Sequence, residues 1–103
     1  MYKTIRLDDT SGDFILRQKE PRLVLQIFDI SQLDTRQEID FKKNLAAYST
    51  THANGRDMLL TIHAIHPDDA PAIEHHNNPG QVISDLLLEA ADYVHDAIIN
   101  VNN

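Results

Sequence analysis

The stretch GQVISDLLLEAADYVHDAIINV, Gly80 to Val101, decides the fold. At about 100° per residue, Val82, Ile83, Leu86, Leu87, Ala90, Ala91, Tyr93, Val94, Ala97, Ile98 and Val101 gather on roughly half of a helical circumference. Asp85, Glu89, Asp92 and Asp96 fall together on the other side, at spacings of four, three and four. A helix docked on a single neighbour needs an apolar stripe about 100° wide. This arc is wider, and Leu88 and Ile99 break into the polar side as well. Two readings follow: a helix docked deeply into its own core, or one whose outer edge buries against a second subunit.

The helix start is well marked. His75-His76-Asn77-Asn78 reads as a loop. Asn78 then serves as N-cap, and Pro79 takes the first helical position, where its missing N–H costs nothing. The far end is matched poorly to the helix dipole. Asp92 and Asp96 occupy later turns, where cations are favoured, and no lysine or arginine follows them.

That mismatch belongs to a wider charge asymmetry. All nine lysines and arginines lie at or before Arg56. The first 56 residues carry nine bases against eight acids, a net of +1. The last 47 carry eight acids and no base, a net of −8, together with five of the six histidines. An acidic surface repels phosphates, so direct nucleic-acid binding is disfavoured and a basic protein partner is favoured. The 103 residues suit one domain, 1–103. The absence of cysteine excludes disulfides and thiolate metal sites. No run is long or apolar enough to span a bilayer, and the first residues lack a signal-peptide core, so a cytoplasmic protein is expected.

Upstream, Met1 to Asp8 reads as a strand, Asp9 to Asp13 as a turn, and Phe14 to Gln18 as the returning strand of a hairpin. Arg22 to Ile30 is the strongest strand. Leu23, Leu25 and Ile27 share one face, and Val24, Phe28 and Ile30 the other, so both faces are expected to be covered. Asp57 to His66 is a second central strand, with Met58, Leu60, Ile62 and Ala64 on one face and Leu59 and Ile65 on the other. Ala72 to Asn78 reads as loop. The stretch between the two strong strands is ambiguous. Asp34 or Thr35 could cap a helix, and Lys42, Lys43, Ala46 and Ala47 favour one. Yet Ile39, Phe41, Leu45 and Ala47 also alternate, and Asn54-Gly55 is a favoured hairpin dipeptide. Propensity decides for a helix over 35–50. The predicted fold is α+β: a small, mostly antiparallel sheet of about four strands packed by the long C-terminal helix and one further helix. If 35–50 is instead a strand, the order of elements resembles that of SecB-like export chaperones, an order shared without any sequence motif.

The candidates for chemistry are sparse. His66, Asp68, His75 and His76 have the composition of metal ligands, but their spacing matches no strong motif. His63 and His66, three apart on a strand, point to opposite faces. Asp29 and Asp68 or Asp69 would become neighbours only if the two central strands ran parallel. No serine sits in a nucleophile elbow, and Gly12, Gly55 and Gly80 are too scattered to cradle a phosphate. The expected function is a non-enzymatic interaction or assembly module without a cofactor. It acts as a homo-oligomer, most simply a dimer, and binds a basic protein through Asp85, Glu89, Asp92, Asp96, Leu88 and Ile99. The alternatives are a small metal-dependent hydrolase built on the loop histidines and aspartates, an acidic nucleic-acid-mimicking inhibitor, and a SecB-like chaperone.

Overall fold

The computed structural model describes residues 2–6 and 13–102, with only the backbone described at 4–6 and 98–102. Eight elements follow one another: β1 Tyr2–Arg6, β2 Asp13–Arg17, β3 Leu23–Asp29, α1 Thr35–Lys43, β4 Ser49–Ala53, β5 Arg56–Ile65, α2 Ala70–Glu74 and α3 Pro79–Asn102. The strands form one antiparallel sheet in the order β1-β2-β3-β5-β4. The architecture is α+β, as expected, with five strands in place of four. Of the turn expected over residues 9–13, residues 9–12 lie outside the described residues, and Asp13 begins β2. Among the described residues no helix is long and apolar enough to cross a membrane.

The core lies between one face of the sheet and α3. Ile15, Leu23, Leu25, Ile27 and Leu60 contribute from the strands, and Leu86, Leu87, Ala90, Ala91 and Val94 from the helix. Leu25, Leu60 and Ala90 are fully buried. The alternation that put Leu23, Leu25 and Ile27 on one face therefore translates directly into burial. The helix begins as its sequence indicates: Asn78 Oδ1 accepts the Gln81 N–H at 3.2 Å. A serine hydroxyl at the start of β4 ties the helix down, Ser49 Oγ donating to the Leu87 carbonyl at 2.9 Å.

Three expectations need correction. The helix read over 35–50 ends at Lys43, and Ser49–Ala53 is a strand. The helical half is locally encoded, with Asp34 and Gln37 closing a reciprocal capping box. Asn44 then ends it, its backbone N–H bonding to Phe41 and Lys42 carbonyls. Beyond it the polar run Ser49-Thr50-Thr51, with its two β-branched threonines, pairs with β5 across a tight turn. Asn54 and Gly55 both hold positive φ there, 53° and 78°, as the favoured two-residue hairpin turn requires. The helical reading thus holds over Thr35–Lys43 and the Asn54-Gly55 hairpin forms, but Ile39, Phe41, Leu45 and Ala47 lie in no strand, and the uninterrupted strand behind the SecB-like order does not form.

The second correction concerns β5. Between Val24 and Leu25 the register shifts, so that Val24 faces Ala64 and Leu25 faces Ile62. His63 is the extra residue of a bulge, which reverses the alternation beyond it. Ala64 is consequently exposed, and Ile65, not Ala64, packs against the core. The third is α2, read as loop. Pro71 lies in its first turn and Ile73 is buried, so a single apolar side chain anchors one turn of helix.

The opposite face of the sheet is covered only in part. Phe28 points away from α3, and Phe41 of α1 packs edge-on against it, with ring centroids 5.0 Å apart. No residue of α1 is fully buried. Thus α1 and α3 lie on opposite sides of the sheet.

Candidate functional site

The buried arc of α3 leaves a defined outer face. Leu86 and Leu87 turn inward, while the next residue, Leu88, is 57% exposed. Asp85 and Asp92, three before and four after Leu88, are exposed beside it, as is Asp96. Asp85 accepts a hydrogen bond from Gln81 Nε2 at 2.8 Å. Asp96 lies 3.6 Å from His95 Nδ1. Asp92 makes no hydrogen bond or ion pair among the described residues. The side chain of Ile99 lies outside the described residues.

Glu89 has a different environment from the other three acids. Its carboxylate accepts from Arg17 Nη1 at 2.6 Å and from the Tyr2 hydroxyl at 3.2 Å. Arg17 is 6% exposed in its side chain, against 43% for Glu89. The guanidinium also donates to the Tyr2 oxygen at 3.1 Å and, through Nε, to the Pro21 carbonyl at 3.1 Å. The Tyr2 ring stacks on Tyr93 at 4.6 Å. Burial, opposed by the Arg17 hydrogen bond, raises the Tyr2 pKa. This polar cluster joins β1, β2 and α3, and holds the helix in register over the sheet. A sequence signal for it exists: Arg17 shares the inward face of its strand with Ile15, where a base must find a partner.

The remaining acids and histidines divide between structural roles and open surface. Asp69 is 7% exposed. It accepts from the Arg22 backbone N–H at 2.7 Å and from Arg22 Nε at 2.8 Å. The Arg22 hydrogen bonds hold its carboxyl at about 2 against the usual 3.8. A depressed pKa of this kind stabilises the fold fully above the ordinary value, and the contribution is lost as pH falls toward the folded-state value. Acid titration followed by circular dichroism should therefore show stability falling between about pH 4 and pH 2. Asp69→Asn should melt at lower temperature than wild type at neutral pH, with the difference closing in that window. A difference that persists unchanged at pH 2 would rule this out.

His66 Nδ1 accepts the Asp68 N–H at 3.1 Å, and His76 Nδ1 accepts the Asn78 N–H at 3.0 Å. His75 caps the end of α2. His66 Nδ1 also lies 3.8 Å from the Asp68 carboxylate, so these two candidates do meet, but His75 and His76 do not join them. Among the described residues no group of three or more histidines, aspartates or glutamates is placed to hold a metal ion. Because β3 and β5 are antiparallel, Asp29 pairs with Met58, at the opposite end of the sheet from Asp68 and Asp69. The pairing of Asp29 with Asp68 or Asp69, which needed parallel strands, does not form. His52 and Asp57 form an exposed cross-strand pair at 2.5 Å.

Comparison of the chain with protein-family models, with curated proteins and with solved structures gives no significant match.

Proposed function

We propose that the protein is a non-enzymatic interaction module that docks a basic protein partner on the outer face of α3. The observation that carries this is Leu88, more than half exposed between Asp85 and Asp92 on a helix that has no base in or after it. An apolar side chain ringed by charge of one sign suits a partner whose apolar contact is ringed by the opposite charge. Among the described residues, Arg17 is the one base of the sheet that reaches this helix, and the acid it meets there is Glu89. Asp85, Asp92 and Asp96 are therefore left to set the potential of the face. Its local cost is small, a few tenths of a kcal/mol per like-charge pair at these spacings.

The test uses a basic amphipathic helical peptide of lysine, arginine and leucine, with its acidic counterpart as control. Wild-type protein should bind the basic peptide alone, more weakly as salt rises. Asp92→Lys combined with Asp96→Lys should leave the melting temperature unchanged or slightly higher, since the new cations suit the helix C-terminal half. The same variant should bind the basic peptide with a slower on-rate and a flatter salt dependence. Unaltered binding by a stable double variant would reduce the stripe to a solvated surface. Unfolding of the variant would mean that these acids are needed within the fold.

A further inference from the structure

Resting on that reading, we propose that the basic surface α3 docks on is the α1 face of a second copy of this chain, where exposed Arg36 and Lys43 give a local excess of base on a chain of net charge −7. The two helices carry matching faces. On α3, exposed Leu88 has Asp85 three residues before it and Asp92 four after. On α1, Ile39 is 54% exposed, with Arg36 three before it and Lys43 four after, both exposed. Each helix thus offers an aliphatic knob flanked at the same two positions by charge, acidic on one and basic on the other. Positions i−3 and i+4 lie within about 60° of the central residue on a helix, so each trio forms one surface.

No ion pair among the described residues fixes either face, although exposed Asp40, four after Arg36 and three before Lys43, sits beside the two bases. Arg36 and Lys43 make no ion pair among the described residues. The acid at Glu38 is taken by Lys42, 3.5 Å away. Phe41 holds α1 to the sheet from the side opposite Ile39. A contact between two copies of α3 would set acids against acids, and one between two copies of α1 would set two bases and one acid against the same set. Among the described residues, the α1–α3 pairing is the one that joins an excess of acid to an excess of base around two apolar knobs.

The position of the helices also sets the symmetry. Because they lie on opposite sides of the sheet, two copies cannot satisfy both contacts with each other. The contact is heterologous, and copies add head to tail into a ring or an open row instead of closing as a two-fold pair.

Sedimentation of the full chain up to about 1 mM, which half-fills a contact of millimolar Kd, tests this. Mass should rise past two chains with concentration. It should fall back on going from about 0.1 M to about 1 M salt, where the screening length shrinks from about 10 Å to about 3 Å. Leu88→Lys and Ile39→Glu should each stay folded by circular dichroism and sediment as monomers at the highest concentration. An equimolar mixture of the two should associate again, through the intact faces and the new lysine–glutamate pair. A monomeric wild type, variants that still associate alone, or a mixture that stays monomeric would each overturn the proposal. A monomeric wild type that binds the basic peptide through Leu88 would refute self-association alone. Loss of both behaviours would remove the docking face with it.

Discussion

Leu87→Ala should destabilise the protein by about 2–5 kcal/mol, while Leu88→Ala, one residue on, should change stability by no more than about 0.5 kcal/mol. Leu87 is 2% exposed and belongs to the cluster formed with Leu25, Leu60 and Ala90. Truncating it removes apolar contacts and leaves a cavity that a close-packed interior refills only partly. Leu88 is 57% exposed and is not a member of that cluster. In a domain of this size each kcal/mol shifts the melting temperature by roughly 4–8 °C. The Leu87 variant should therefore melt about 10 °C or more below wild type, and the Leu88 variant within a few degrees. Thermal melts by circular dichroism decide it. Equal effects would mean that α3 is rotated on the sheet, and that its outer face is not the one described.

The second large effect is asymmetric within the Arg17–Glu89 pair. Glu89→Ala strands a guanidinium that is 6% exposed. Removing one partner of a buried pair costs about 3–5 kcal/mol, because the other charge stays desolvated. Glu89 is itself 43% exposed. Water can enter from its side, which argues for the lower end, about 3 kcal/mol. Arg17→Met removes the buried charge, refills much of the stem volume and leaves a carboxylate that water already reaches. Its cost should be about 1 kcal/mol, mainly for the Pro21 carbonyl that loses its donor. Chemical denaturation of both variants at neutral pH measures the difference. If Arg17→Met proves the worse of the two, the hydrogen bonds of the guanidinium outweigh the stranded charge. The same result bears on the acidic stripe. Glu89 is tied to the sheet through Arg17, whereas Asp85, Asp92 and Asp96 make no contact with the sheet among the described residues.

Features read correctly from sequence were those whose cause lies within a few residues. Asn78 before Pro79 caps α3, because the orphan N–H groups of a helix start are met by the nearest side chain. The inward face of α3 follows from a 3.6-residue period. The inward face of β3 follows from a period of two. Asn54-Gly55 makes its turn because glycine, and to a lesser degree asparagine, tolerates positive φ. The excess of acid in the last 47 residues needs no structure to be seen.

Tertiary structure decided what depends on distant partners. Residues 44–53 leave the helix because β5 offers a row of backbone groups to pair with and α3 accepts Ser49. Helix propensity in Ala46 and Ala47 contains no information about either. The bulge at His63 exchanges Ala64 for Ile65 on the core face, a choice set by the register against β3 and invisible to a period of two. Four acids on one helix look equivalent in sequence. Arg17, 72 residues away, makes Glu89 part of the core boundary and leaves Asp85, Asp92 and Asp96 to the surface. The reason is common to all three cases: local patterns are set by backbone sterics and periodicity, whereas pairing, register and charge compensation depend on which remote group arrives opposite.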